Sequence, residues 1–183
     1  DGATISCKGD FNRAPGPPGS SFWNSVIPIR ILGGRNVTIR DLRVVQNVRQ
    51  MTRPGPEIAE GYAHGIVLQG VIGARLERVR AEGSPTDGLM VHEDQRTRPY
   101  RVSRNIVLID CAFEENSRLG MAVVGCVGLR ATGCSFSNNG HAGRYGNTAP
   151  SAGVDIEPDY APPQTESITT DIVFERCRFD GNL

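Results

Sequence analysis

The chain has 183 residues, 20 Lys plus Arg against 20 Asp plus Glu, and a formal net charge of zero. That length suits one domain with a substantial core. Charges are interspersed and Lys8 is the sole lysine, so no basic run points to nucleic acid, and no apolar run approaches the length of a membrane span.

In chain order, Ala3-Thr4-Ile5-Ser6 reads as a first strand and Ile29-Arg30-Ile31 as a second. NVTIRDLRVVQN at 36–47 then places apolar residues at Val37, Ile39, Leu42 and Val44, the two-residue period of a strand. The frame returns as GARLERVRAEGS (73–84), NIVLIDCAFEEN (105–116), GLRATGCSFSNN (128–139) and DIVFERCRFDGN (171–182). Three columns run through it: Leu42, Val79, Cys111, Cys134, Cys177; Val44, Ala81, Phe113, Phe136, Phe179; and Asn47, Ser84, Asn116, Asn139, Asn182. A second strand repeats between these units, opening at Gly65, Gly88, Gly120 and Gly153, with Ile29-Arg30-Ile31 one unit earlier. Successive units start 37, 32, 23 and 43 residues apart, so the shortest is a bare rung and the others carry loops.

Short strands, turn residues and so short a rung predict an all-β fold: a right-handed parallel β-helix, a solenoid of about five stacked rungs forming one domain over 1–183. No stretch of helical length shows a clean 3.6-residue period, which argues against an α/β alternative. The asparagine column is expected at a tight corner, taking left-handed backbone and bonding the rungs above and below. The glycine column is expected where a Cβ would be in the way. Cys111, Cys134 and Cys177 read as stacked free thiols of the core, since their spacing fits no zinc motif; Cys7 and Cys126 are undetermined, and cysteine usage does not report the compartment. The chain starts inside a strand and stops just after an asparagine corner, and solenoids need capped ends, so a piece of a longer protein is expected.

Insertions at 48–63, 93–103, 140–151 and 158–169 all flank the stack 64–69, 87–92, 119–124, 152–157, which makes its outward side the place to look for chemistry. Alternation assigns two outward columns, Arg30, Val67, Met90, Ala122, Asp155 and Leu32, Gln69, His92, Val124, Glu157. Asp155 and Glu157 stand roughly 7 Å apart on one side of a strand. With Asp159 they form a candidate site for a hard cation such as calcium, and the pair alone is a candidate acid and base. A solvated strand end beside Pro158 is the plainer alternative. His92 falls two rungs from Glu157, roughly 10 Å away, and is a candidate general base near neutral pH. His64 and Asp87 occupy equivalent places on adjacent rungs, about 5 Å apart, either as a catalytic pair or as a corner hydrogen bond. Tyr145 and Tyr160 supply rings on which sugars stack, and Tyr62, Gln69, Glu93 and Arg144 complete the candidate binding residues. Val107 and Ile109, outward and apolar, hint at a covering loop or a partner chain.

The repeat resembles the pectate-lyase-like superfamily of β-helix proteins over most of 29–183. That resemblance implies a polysaccharide partner, a secreted or extracellular location and, by family, lyase, hydrolase, C5-epimerase or tailspike activity. The stretch Asp87-Gly88-Leu89-Met90-Val91-His92-Glu93 is similar to the Tyr-Gly-Phe-Asp-Pro-His-Glu motif of mannuronan C5-epimerases, matching at Gly88, His92 and Glu93. Asp87 stands where that motif has tyrosine and Met90 where it has its catalytic aspartate. His64-Gly65-Ile66 is similar to the His-Gly strand of polygalacturonase-type hydrolases, whose Asn-Thr-Asp, Asp-Asp and Arg-Ile-Lys motifs this chain lacks. By resemblance the reaction is β-elimination or C5 epimerisation of a uronate glycan: His92 or His64 as base, Arg118 neutralising the carboxylate, Tyr62 or Tyr145 donating a proton. The competing expectation is a glycan-binding or stalk module of the tailspike or adhesin type, a trimer in the tailspike case, without catalysis.

Overall fold

Residues 2–7, 27–48, 63–97, 99–140, 149–158 and 168–183 are described by the structure, a computed structural model. Within them the alternating segments become twelve strands: β1 (Ala3–Ser6), β2 (Ile29–Leu32), β3 (Arg35–Val45), β4 (Ile66–Gln69), β5 (Ile72–Glu82), β6 (Leu89–His92), β7 (Ser103–Ile109), β8 (Ala112–Glu114), β9 (Met121–Val123), β10 (Cys126–Thr132), β11 (Val154–Ile156) and β12 (Thr170–Glu175). They pair in parallel into a seven-stranded sheet in the order β1-β3-β5-β7-β10-β12, with β8 also against β5, and a five-stranded sheet in the order β11-β9-β6-β4-β2. Each rung thus gives one strand to each sheet, the wiring of a parallel β-helix.

Register follows the sequence columns. Val79 lies against Leu42, Phe113 against Ala81, and Leu76 between Ile39 and Leu108. The phenylalanine column stacks: Phe113 on Phe136 with centroids 5.7 Å apart, Phe136 on Phe179 at 5.4 Å, and Phe174 edge-on to both Phe136 and Phe179. Phe174 pairs with Ala131, whose small side chain leaves room for the ring. All five cysteines are free. Cys134 Sγ accepts from the Cys111 amide at 3.4 Å, and Cys111 and Cys177 direct their thiols at strand carbonyls. Cys126 is sealed in the core, where burial pushes its thiol up to about 12; Cys7 is half-buried.

Two corners are made by left-handed residues stacked rung on rung. Asn36, Gly73, Asn105, Gly128 and Asp171 form one, with φ from 51 to 78°; Asp41, Arg78, Asp110, Gly133 and Arg176 form the other, with φ from 50 to 65°. The second bends the outer strand just before the cysteine column.

At the third corner the structure corrects the expectation. Left-handed φ falls on Gly83, Glu115, Asn138 and Gly181, one residue ahead of the column that includes Asn116, Asn139 and Asn182; only Asn47 takes it itself. The reason is direction. Asn116 and Asn139 are fully buried because their amides bond between rungs, so the exposed residue before each one makes the turn. Asn139 Oδ1 accepts from both the amide nitrogen and Nδ2 of Asn116 at 3.1 Å, while Asn139 Nδ2 donates to Phe113 O at 3.1 Å. Asn182 repeats the pattern toward Asn139. The glycine column faces this ladder: a Cβ on Gly120 would lie 2.6 Å from Gly153 O, 2.8 Å from Phe113 O and 2.9 Å from Asn139 Nδ2. Glycine is required here by crowding and not by φ.

Candidate functional site

The side chains that bear on chemistry sit on the outward side of the five-stranded sheet and at the corner where its strands begin. Pairing of Arg30 with Val67, Val67 with Met90, and Met90 with Ala122 sets the first outward column, and Asp155 against Ala122 completes it. Leu32, Gln69 and His92 pair in sequence as the second.

At the corner, the Gly65 amide donates to Asp87 O at 2.9 Å, which brings His64 and Asp87 side by side on adjacent rungs. His64 Nδ1 lies 3.0 Å from Asp87 Oδ2 and 3.0 Å from Thr86 Oγ1. A carboxylate oxygen and an imidazole lone pair at that separation would repel, so the proton belongs on Nδ1, and Nε2 is the ring's acceptor nitrogen. The Asp87 contact is close but not an aligned hydrogen bond; neither carboxylate oxygen has a well-directed donor. From the next rung, the Arg118 amide donates to Thr86 O and its Nη1 reaches Asp87 Oδ2 at 3.5 Å. Arg118 Nε also donates to Ala149 O at 3.2 Å. Three rungs therefore bring an imidazole and a guanidinium to one carboxylate, Asp87, wholly removed from solvent. Arg118 is engaged with Asp87 and Ala149, so it bears on His64 through Asp87.

Along the outward face, Arg30 donates from Nε and Nη2 to Gln69 Oε1, at 3.2 and 2.5 Å. His92 stands on the next strand. Burial above all, with the nearby His64 ring and the Arg30 guanidinium adding to it and Asp94 opposing it, lowers the His92 imidazole to about 4, so it is neutral at physiological pH. This face is less open than alternation alone implies: Gln69 is 5 % exposed and His92 6 %. Asp94 and Arg101 form an antiparallel bridge folded over Gly70, the residue after Gln69. Asp94 accepts from Arg96 and Arg101 at 2.9 Å each, and the Arg96 hydrogen bonds outweigh burial and hold its carboxyl down at about 2. Glu93 is buried as well, with Oε1 taking a hydrogen bond from Gln95 at 2.8 Å.

Asp155 and Glu157 do not join this cluster. They lie on the last described rung of the sheet, half-buried and exposed, with Val124 between Glu157 and the His92 row. Among the described residues no group of three or more His, Cys, Asp or Glu is placed to hold a metal ion. Tyr62, Arg144, Tyr145, Asp159 and Tyr160 lie outside the described residues. Val107 and Ile109 are outward but half-buried; Val107 lines a shallow groove of about 420 Å³ on the other sheet, with Asn105, Arg130, Asp171 and Val173. Sequence reading did not single out Thr86, Arg30 or the Asp94–Arg101 pair. Thr86 directly precedes Asp87, and Arg30 shares an outward face with Gln69; both signals were available in the columns.

Residues 19–159 match the family model described as a right-handed β-helix region. No curated protein and no solved structure matches the chain. The handedness in that description agrees with the rule that parallel strands of one sheet are joined by right-handed crossovers. Fold, register and family match converge: the chain belongs to the right-handed β-helix family.

Proposed function

We propose that this β-helix domain acts on a uronate-containing polysaccharide by abstracting the proton at C5, the first step shared by lyases and C5-epimerases. The observation that carries the reading is His64 held at Nδ1 by Thr86 and Asp87, which presents Nε2 as the basic atom. Nε2 takes the C5 proton, and the electron pair left on carbon spreads into the adjacent carboxylate. Departure of the O4 substituent, which takes its proton from the imidazolium or from water, then yields a C4–C5 double bond, whereas a proton delivered by water from the opposite side yields the epimer and the imidazolium returns its proton to solvent. Burial of Asp87 strengthens its hold on the imidazolium formed in the transition state. His92, lowered to about 4, is too weak a base for this step at neutral pH and acts as a neutral hydrogen-bonding ring on the substrate face.

Incubating the protein with polymannuronate, polyguluronate and polygalacturonate in D₂O tests this, with NMR reading deuterium at C5 and ultraviolet absorbance reading unsaturated ends. The wild type should exchange C5 on one of them, and His64→Gln should slow it by about a hundredfold or more. Exchange that persists in His64→Gln would sink the base assignment. A second reading, a binding module without catalysis, is favoured by one observation: His64 is 3 % exposed. Glycan binding with no C5 exchange in the wild type would establish it.

A further inference from the structure

The proposed chemistry leaves the substrate carboxylate without a partner, because Arg118 is engaged with Asp87 and Ala149. Among the described residues, most arginines that carry ion pairs lie on the seven-stranded sheet: Arg43 with Glu82, Arg75 with Glu77, Arg78 with Asp41, Arg80 with Glu82 and Glu114, Arg130 with Glu175. Arg30 differs. It is exposed, it stands on the outward side of β2, and its hydrogen-bond partner is the neutral amide of Gln69. Among the described residues no carboxylate balances it. Gln69 is nearly buried, so it anchors the guanidinium from below and fixes the plane of the fork.

A planar guanidinium of fixed orientation and unbalanced charge binds a carboxylate through two parallel hydrogen bonds. Electrostatics ties the position to the same face, since the charge of Arg30 reaches His92.

Resting on the reading above, we propose that Arg30, oriented by Gln69, is the group that recognises the carboxylate of a sugar-acid unit on the outward face of the β2–β4–β6 strands. Gln69 is then a positioning residue: it touches Arg30, and through it sets where the carboxylate sits. The proposal implies a coupling. A bound carboxylate cancels the Arg30 charge felt by His92 and makes that imidazole easier to protonate.

The test compares wild type, Arg30→Gln, Arg30→Lys and Gln69→Leu by calorimetric titration. The ligands are an oligouronate and its carboxyl-reduced, neutral counterpart of equal length. Wild type should prefer the acidic oligomer by at least about tenfold. Arg30→Gln should abolish that preference, Arg30→Lys should keep part of it, and Gln69→Leu should weaken binding of the acidic oligomer more than of the neutral one. NMR titration of His92 supplies a readout apart from affinity. Oligouronate should raise its titration midpoint in the wild type and leave it unmoved in Arg30→Gln. Acid preference retained in Arg30→Gln overturns the proposal while leaving the uronate reading intact. No preference in the wild type overturns that reading and the proposal with it.

Discussion

His92 concentrates the electrostatics of the site in one ring. Its imidazole titrates near 6.5 in a free chain and is lowered to about 4 in the fold, mainly by burial. The unfolded chain therefore binds more protons between those values, so folding stability rises with pH across that window. This contribution is complete above about pH 6.5 and is lost as pH falls toward 4, on the order of 3 kcal/mol in all. Asp94, held down at about 2 chiefly by its hydrogen bonds to Arg96, contributes stability that survives until pH drops below the ordinary carboxylate value. Glu82 belongs with it: burial pushes its carboxyl up, but hydrogen bonds from Arg43 and Arg80 prevail and leave it lowered. Urea midpoints measured from pH 7 to 4.5 should fall steadily in the wild type and flatten in His92→Gln. An unchanged slope in the variant would remove His92 from the account.

At the level of elements, the solenoid is held by columns that differ in what they tolerate. Gly120 packs against the backbone oxygens of Phe113 and Gly153 and the amide of Asn139, none of which can retreat without breaking a rung contact. Gly128 has left-handed φ of 78°, but a Cβ there would make only ordinary contacts with Asn105, the nearest to Oδ1 at 3.4 Å. Gly120→Ala should cost about 3 kcal/mol through overpacking. Gly128→Ala should cost about 1 kcal/mol through backbone strain alone. Equal losses in chemical denaturation would show that crowding at Gly120 costs no more than backbone strain at Gly128. A different device serves the outer face beyond the cysteine bend: Arg43, Glu82, Arg80, Glu114 and Arg178 form a chain of ion pairs across successive rungs, with Ser135 bound to Glu114. Its arginines are largely exposed, so each link adds only a modest amount, up to about 1 kcal/mol.

Across the whole molecule, burial is greatest in the middle rungs and thins toward the last. Leu76, Leu108 and Phe113 are completely buried, whereas Phe179, in the same column as Phe113, is 46 % exposed. In a stack whose rungs contact only their neighbours, opening free energy should follow that gradient. Hydrogen exchange should find the amides of β5 and β7 most protected and those of β12 and β1 least. Uniform protection would mean that the rungs open as a single unit. The columns that produce this gradient were legible in the sequence because in each one residue type recurs on at least three rungs: cysteine, phenylalanine, asparagine, glycine. Two things were not. The left-handed residue beside the asparagine ladder varies (Gly83, Glu115, Asn138, Gly181), so no composition signal marks it, and only the inward demand on the amide fixes its place. The burial of Gln69 and His92 was not legible either, because alternation speaks only of which side a residue faces. The site was half legible. Adjacent rungs brought His64 to Asp87, but the reach of Arg118 to the same carboxylate depends on side-chain length and rotamer.

The asparagine amides and the glycines opposite them have a consequence for how such a molecule diversifies. Two residues separate Ser84 from Asp87 and two separate Asn116 from Leu119, yet sixteen lie between Asn47 and His64 and twelve between Asn139 and Ala152. After each span, short or long, the next strand opens at a glycine set against a neighbouring rung. Pitch is therefore indifferent to what is spliced in between. The amide-and-glycine seam works as a clutch: it re-engages the coil after any detour, so the excursions can be exchanged for new ones while the coil beneath keeps its gauge.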